Sequence, residues 1–396
     1  MEEWVPLHDA RFHVGQEKAV ISVIGGRGPF PDIAFVCLPG SPAVFLAWAS
    51  GPHRWLGWMW LYDGGALATM DTRLRTAAGH LSSLAGLVAA HAIPLPLALF
   101  LYDSKVDACL APGRWMYAVM APSPEATLDA FLCNSARALL GLPPWKTGMA
   151  ACWELGWCLG GFARGILEVA CRRAKLWALP DDDFYKIFFM QGHHVPGSWP
   201  ARSLALLQAW GLDDWPDCEG DLTLVRYKTS IRAILAHVCC ANGATSLTDG
   251  SAVPYFSIFP GLVPRDSLQL AARQSLSPAA LVGCRALARF RLGALKLTHR
   301  GGLPTQAKAS TCMFCERLTS SPLAHCLLYC QAWDEPRATL MGSHAWGDDA
   351  DGRFHRLITM DPSDPGFPTL ATFLHEVDMS VVRFWRGGRR LHVVLP

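Results

Sequence analysis

The feature that most constrains this chain is a set of metal-ligand side chains gathered in one short segment. Cys312 and Cys315 are separated by two residues, and His325 and Cys330 follow after gaps of nine and four residues. Two cysteines at the first spacing can bind one ion from a tight turn, and the later pair can reach it from one face of a helix. Three thiolates and one imidazole complete a closed tetrahedron, which is typical of structural Zn²⁺ sites. The sequence therefore predicts a structural Zn²⁺ site with the ligands Cys312, Cys315, His325 and Cys330.

Cys326 is an alternative fourth ligand, because it lies in the same segment. It directly follows His325 in the chain. Neighbouring residues of a regular helix point in different directions, so both side chains could not easily reach one ion. We therefore favour Cys330 and keep Cys326 as the alternative.

The composition indicates a folded chain without a strong overall charge. Of 396 residues, 51% are hydrophobic and 17% are charged, which is not a disordered composition. The formal net charge of +2 gives no global basic field for nucleic acid. The first residues are acidic rather than positively charged, unlike a secretory signal. We expect the 14 cysteines to be reduced and the protein to be intracellular, cytoplasmic or nuclear.

A membrane span is not expected, although apolar residues are common. The best candidate, Leu81 to Tyr102, is interrupted by His91, Pro94 and Pro96. Proline ends or kinks a helix, so this stretch is better interpreted as two helices joined by a turn.

Residues 18 to 60 have the pattern of short strands, after which the period becomes helical. The strand candidates are Lys18–Ile24, Ile33–Cys37, Ala43–Ala47 and Arg54–Trp60, and glycine and proline between them suggest an antiparallel meander. The helical candidates begin near Ala66 and continue at Leu97–Ala108, Pro124–Leu140, Gly148–Leu176, Trp199–Ala209, Ser230–Cys240, Pro278–Leu297 and Leu370–Arg383. The sequence thus predicts a mainly α fold: a small N-terminal antiparallel β segment, a helical array and a C-terminal zinc-binding segment. Gly342–Phe367 is expected to be a surface loop.

The order of several short motifs resembles the C-terminal part of a non-LTR (LINE-type) retrotransposon reverse transcriptase. Arg54-Trp55-Leu56-Gly57 is similar to the family's "YLG" signature at the end of the palm. Leu101–Trp115 resembles a family helix, and a degenerate form of its "YG.E.W" run stands at Pro112–Tyr117. Ala136–Pro143 resembles "R.ilGLP", and Arg289–Gly293 with the cysteines after it resembles the terminal zinc knuckle.

The resemblance implies a division of the chain into four parts. Residues 1–62 would be the end of a palm, 63–250 a thumb-like helical region, 265–340 a helix with the zinc knuckle, and 341–396 a loop, a final helix and a basic tail. It also implies RNA or an RNA–DNA duplex as the partner, and a catalytic palm upstream on a longer chain.

The chain departs from the family in lacking a polymerase active site. Nucleotide addition needs carboxylates that hold Mg²⁺, and the family carries two of them in a Tyr-x-Asp-Asp turn. This chain contains no such turn. Asp181-Asp182-Asp183 follows a proline between helices and is better interpreted as a helix cap or solvated loop. We expect no catalytic residue and no enzymatic activity of this chain alone.

A basic face beside the cysteines is the expected contact with RNA. Residues four apart share a helix face, which places Arg285 beside Arg289 on one side of the helix. Such a face beside a zinc knuckle suits phosphate groups. The predicted nucleic-acid-binding residues are Arg285, Arg289, Arg291, Lys296 and Arg300.

A second function stays open from the sequence alone: a helical protein-interaction module in which zinc is only a structural staple. Strong dependence of RNA affinity on salt would favour the first function, RNA binding, over the second.

His193 and His194 have no further ligand nearby and are expected to be exposed loop residues.

Overall fold

The computed structural model describes most of the chain between residues 67 and 387, together with the backbone of five short strands before it. The described residues are 67–121, 123–144, 146, 148–215, 223–247, 276–295, 297, 310–342 and 349–387, together with five short strands between residues 20 and 60.

This part of the chain is mainly helical, as the sequence predicts. Its longer helices are α1 Leu67–Ala89, α2 Leu95–Leu101, α3 Ala108–Met120, α4 Pro124–Leu140, α5 Gly148–Glu154, α6 Gly161–Trp177, α7 Phe184–Gly192, α8 Trp199–Ala209, α9 Leu224–Leu247, α10 Pro278–Arg291, α11 Asp334–Gly342, α12 Ala350–Thr359 and α13 Phe367–Gly387. A π-helical stretch, Tyr102–Asp107, joins α2 to α3.

Short strands come before the helices. They are β1 Val20–Ile21, β2 Ile33–Val36, β3 Val44–Trp48, β4 His53–Trp55 and β5 Trp58–Trp60. β2 pairs with β3 and β4 with β5 in antiparallel fashion, but β1 pairs with β3 in parallel. In an antiparallel meander, β1 would pair with β2. Here the strand order is β1-β3-β2, so β1 pairs with β3 instead. The likeness of this segment to the end of a palm stays a prediction, and Leu56 and Gly57 lie outside the described residues.

Two helices begin and end at the residues that the sequence predicts. The bounds of α4 and α8 are those expected from the sequence. α4 ends at Leu140, and Gly141 directly after it has a φ of 65°. The N–H of Leu142 donates to the carbonyl of Arg137 (2.8 Å), and that of Gly141 to the carbonyl of Ala138 (3.1 Å). This is a Schellman ending, which favours glycine because the left-handed conformation is strained for other residues. The motif that resembles "R.ilGLP" is therefore a helix end.

Two of the predicted elements are different in the structure. Gly148–Leu176 is not one helix but two, α5 and α6, because Gly156 adopts a φ of 76° and ends the first. Gly342–Phe367 is not all loop, since it contains α12, whose first turn is capped by the Asp349 carboxylate, which accepts from the N–H of Gly352 (2.5 Å). A carboxylate at this position satisfies a backbone donor that has no partner within the helix.

The chain forms two compact units that are interleaved in sequence. Unit 1 contains residues 1–76, 109–124 and 168–220, and unit 2 contains residues 77–108, 125–167 and 221–396. The metal-ligand segment and α10 both belong to unit 2.

Close helix packing organises unit 2. α10 packs along α13, and a Cβ built on Gly283 would lie 2.0 Å from the carbonyl oxygen of Ala371. A Cβ on Gly161, at the start of α6, would lie 2.1 Å from the carbonyl oxygen of Leu128 on α4. Both approaches are too close for any side chain, so glycine is required at each helix contact.

A buried arginine organises unit 1. Arg173 is fully buried and forms an ion pair with the nearly buried Asp214, in which Nε lies 3.1 Å from each carboxylate oxygen. Its Nη1 donates to the carbonyl of Pro200 and to the hydroxyl of Ser203, both at 2.7 Å. Its Nη2 lies 3.1 Å from Nε2 of His193. The network satisfies a charge that would otherwise be costly to bury.

Candidate metal centre

The first two ligands lie in a tight turn between two short strands. β6 Ser310–Thr311 pairs with β7 Leu318–Thr319 in antiparallel register. The N–H of Cys312 donates to the carbonyl of Arg317 (2.9 Å), and the N–H of Glu316 donates to the carbonyl of Cys312 (3.0 Å). Glu316 adopts a φ of 58°, which is uncommon for a residue with a side chain. The turn folds the chain back so that the thiols of Cys312 and Cys315 face the same point.

The other two ligands are brought together by a π-helical turn. His325–Tyr329 is π-helical, and the N–H of Cys330 donates to the carbonyl of His325 (2.7 Å). In a regular α-helix, residues five apart lie about 140° apart around the axis and do not share a face. The wider turn, with hydrogen bonds between residues five apart, places them on the same side. His325 and Cys330 therefore reach the same point from one side of a turn that is π-helical and not α-helical.

The four ligand atoms are close enough for one ion. The Sγ atoms of Cys312 and Cys330 are 3.8 Å apart, and Sγ of Cys315 is 3.1 Å from Nε2 of His325. All four atoms lie within 4.8 Å of one another. Two thiolates on a tetrahedral Zn²⁺ are about 3.8 Å apart, given a Zn–S distance of about 2.3 Å. The cysteines are free thiols, so a disulfide does not account for the short distance.

The thiols of Cys312 and Cys330 influence each other's ionisation. Hydrogen bonding from Cys330 lowers the pKa of Cys312 to about 5, against the opposing effect of burial. The N–H of Phe314 also donates to Sγ of Cys312 (3.4 Å). The same contact, together with burial, raises the pKa of Cys330. Metal ligands must be deprotonated, so a bound cation would replace the proton of the hydrogen bond between Cys312 and Cys330.

Packing around the cluster closes it from most sides. Cys330 is fully buried, while Cys312 and His325 are at least nine-tenths buried. The ring of Trp333 meets Phe314 edge-to-face (5.2 Å between centroids) and also Phe373 of α13 (5.7 Å). This row of rings joins the turn to the helical part of unit 2. A closed site with four protein ligands is typical of a structural metal, since a catalytic site keeps one position open.

The structure includes Cys330 and not Cys326 in the cluster. Cys326 is fully buried and burial raises the pKa of its thiol. Among the described residues, Cys312, Cys315, His325 and Cys330 are the one group of three or more such side chains whose ligand atoms converge. The geometry can therefore hold a metal ion at the residues that the spacing predicts.

The predicted basic face of α10 is not a surface. Arg285 is 8% exposed and its Nε donates to the carbonyl of Leu139 (3.2 Å), and burial lowers its pKa to about 10. Arg291 is 1% exposed. The expectation that these two guanidinium groups form an exposed basic face was wrong.

Protein groups distant in sequence bind the arginines of α10. Arg291 donates from Nη1 to the fully buried Glu154 (2.7 Å), from Nε to the carbonyl of Ile358 and from Nη2 to the carbonyl of Met360 (both 2.6 Å). Nη1 of Arg289 bridges both carboxylate oxygens of the buried Asp378, at 2.5 and 2.6 Å. Periodicity places charges on a helix face but does not show which carboxylates will cover that face. Lys296 and Arg300, the other two predicted contacts, lie outside the described residues.

The structure presents an exposed basic face on a different helix. Arg226, Lys228 and Arg232 of α9 are exposed, whereas Tyr227 and Ile231 between them are buried. α9 contains no Asp or Glu. That acid-free stretch is the sequence signal that would have identified this face.

Asp183 and His193 both have structural contacts within unit 1. Asp183 caps α7, since its carboxylate accepts from the N–H of Tyr185 (2.8 Å), as expected for a helix cap. His193 is half-buried rather than exposed, because its ring packs edge-on against Phe189 (4.6 Å) beside Arg173.

Comparison with protein-family models, curated proteins and solved structures found no match to this chain. Within the described residues, no helix has both the length and the apolarity required to cross a bilayer.

Proposed function

We propose that this chain is an RNA-binding helical module completed by a structural Zn²⁺ centre. The observation that carries the proposal is the convergence of three thiols and one imidazole within 4.8 Å. Zn²⁺ is the ion of choice for such a donor set, because soft thiolates and imidazole suit it and because it accepts a closed tetrahedron. The ion would supply folding energy and no chemistry.

The exposed cations of α9 support RNA as the partner. Lys228 and Arg232 are four residues apart and share a helix face, and Arg226 lies on the other side of the buried stripe. Cations without neighbouring carboxylates on the same helix favour phosphate, since no internal ion pair along that helix competes. In this proposal, α9 takes the role that the sequence assigned to α10.

The likeness to LINE-type reverse transcriptases is part of the same proposal. A thumb-like helical region followed by a zinc knuckle would hold RNA or an RNA–DNA duplex, and catalysis would require a palm upstream on a longer chain. The chain has no Tyr-x-Asp-Asp turn, so the proposed role is binding without nucleotide addition.

RNA affinity measured across salt concentrations tests the proposal. The variant K228Q/R232Q removes two exposed cations and should weaken binding of a single-stranded RNA roughly equally for all sequences. The slope of log affinity against log salt should become shallower by about 1.4. The control R75Q/K175Q removes two exposed cations from α1 and α6 and should leave the slope unchanged.

A second candidate function is a protein-interaction module with zinc as a staple only. The observation that favours it is that Arg285, Arg289 and Arg291, the arginines of α10, are occupied by internal partners. A zinc-loaded chain that shows no affinity for RNA at about 50 mM salt, where phosphate contacts are strong, would favour this function over the first.

A further inference from the structure

Helix α7 in unit 1 exposes a contiguous aromatic surface. Phe184, Tyr185 and Phe188 are 72%, 68% and 68% exposed. The rings of Phe184 and Phe188 stack at 6.3 Å between centroids, and that of Tyr185 meets Phe184 edge-to-face at 5.8 Å. Isolated exposed apolar residues are ordinary, but a contiguous aromatic patch marks a site of interaction. We call these three residues, with the half-exposed Ile187 beside them, the α7 patch.

The opposite face of α7 anchors the helix in unit 1. Phe189 is buried and packs edge-to-face against Trp177 (5.5 Å), while the guanidinium of Arg173 lies 5.0 Å from its ring centre. Arg173 is itself fixed by Asp214. Phe189 thus anchors the helix from one face, while the α7 patch lies mostly in solvent on the other. A surface that is held in place loses little entropy on binding.

We propose that the α7 patch is the interface through which two copies of this chain associate. Its three rings would bury about 150–250 Å² each if fully covered, so at these exposures they offer roughly 300–500 Å². A specific interface needs about 600 Å² or more per partner at the lower limit. Ile187, Met190 and Val195, which are 42%, 38% and 54% exposed, extend the apolar surface towards that area.

The charges around the patch favour a second copy over a phosphate-bearing partner. Asp181 and Asp182, which precede α7, are exposed, and Lys186 on the helix is already paired with Asp181 (2.7 Å). An acidic edge disfavours nucleic acid and anionic lipid. The net charge of the chain is only +2, so two copies repel each other weakly. Two identical uncharged patches related by a twofold axis form the simplest interface of this kind.

Sedimentation velocity on the full zinc-loaded chain, from about 1 to 50 µM, tests the proposal. We expect concentration-dependent formation of a dimer. The variant F184E/F188E should weaken dimer formation at least about tenfold, because it places like charges at the centre of the interface. Glutamate is compatible with a helix at both positions, so circular dichroism should match that of the wild type.

A matched control separates this interface from general stickiness. V225E changes an equally exposed apolar residue of α9, which is 74% exposed, and should leave the dimer unchanged. A wild-type chain that stays monomeric at 50 µM, or a dimer that persists in F184E/F188E, would overturn the proposal. The RNA-binding test changes Lys228 and Arg232 of α9, whereas the dimer test changes Phe184 and Phe188 of α7. Failure of one proposal is therefore distinguishable from failure of the other.

Discussion

The sequence predicts a functional role for side chains in two regions, the metal-ligand segment and helix α10. The side chains of the segment lie where the sequence predicts, and those of α10 do not. In the segment, the thiols and the imidazole converge on one point, as their spacing predicts. In α10, the arginines that should face solvent point into the protein and are bound by Glu154, Asp378 and backbone carbonyls. Each of those partners is at least 67 residues away in the chain.

The difference shows how far a sequence pattern reaches. Ligand spacing is a local restraint, because a short stretch of chain can bring its own side chains together. The burial of a charge depends on which carboxylates other elements supply, and helical periodicity carries no information about them. The arrangement of the metal ligands can therefore be predicted from one stretch of chain, while the environment of the α10 arginines depends on the packing of the whole of unit 2.

The largest expected effect is loss of the metal ligands. Changing Cys312 or Cys315 to serine should abolish binding of one Zn²⁺ per chain, because a closed four-ligand site does not tolerate loss of a thiolate. Structural zinc in small modules contributes on the order of 10 kcal/mol, so the segment 310–342 should also become sensitive to protease. Elemental analysis and limited proteolysis measure the two effects.

Cys326 provides the matched control for the metal site. It is a buried thiol in the same segment but outside the cluster, so Cys326→Ala should retain the metal and lose only about 1 kcal/mol of stability. Retention of zinc by Cys312→Ser, or its loss from Cys326→Ala, would be incompatible with the ligand set.

The next effect tests the buried arginines of α10. Arg291→Met deprives the buried carboxylate of Glu154 of the guanidinium that neutralises it, and leaves the carbonyls of Ile358 and Met360 without this donor. We expect the free energy of unfolding to fall by about 3–5 kcal/mol, measured by urea denaturation. Arg75→Met, at an exposed arginine, should change it by less than about 0.5 kcal/mol.

A double variant sharpens that result. Arg291→Met with Glu154→Gln removes both charges but still leaves the two carbonyls unpaired, so it should recover only part of the lost stability. Equal stability of wild type and Arg291→Met would mean that Arg291 is solvated, as the sequence pattern alone suggested.

The smallest effect concerns pH and the buried arginine of unit 1. A guanidinium only donates, so Nε2 of His193 accepts from Arg173, and the ring is neutral in this contact. Burial and then the charge of Arg173 lower the pKa of His193, with His194 acting in the same direction and Asp214 opposing them. Below the unfolded pKa of 6.5 the unfolded chain binds more protons, so the stability that this contact provides is present above that pH. It should be lost as pH falls from there through the lower pKa of the folded chain.

His193→Gln isolates this contribution, since glutamine keeps a neutral acceptor and does not titrate. Melting temperatures measured from pH 8 to 5.5 should fall more steeply for the wild type than for the variant. Identical slopes would show that His193 does not sense the charge of Arg173.

Several elements were predictable because their signals are local. α4 begins at a proline, Pro124, and is followed by Gly141. α8 is capped by Ser198 and is followed by Gly211. The break between α5 and α6 was missed, because an apolar run through Gly156 has the pattern of one continuous helix. α12 was missed because its polar, glycine-containing sequence is typical of a loop, and only its capping by Asp349 distinguishes it.

By itself, the sequence determined the helical character of this protein and the identity of its candidate metal ligands, because periodicity and ligand spacing act within a few turns of chain. The tertiary structure decided that His325 and Cys330 meet through a π-helical turn rather than an α-helix. It also decided that the arginines of α10 are internal and that the cations of α9 and the rings of α7 are on the surface. Exposure depends on which distant elements cover a face, and that is settled only when the whole chain has packed.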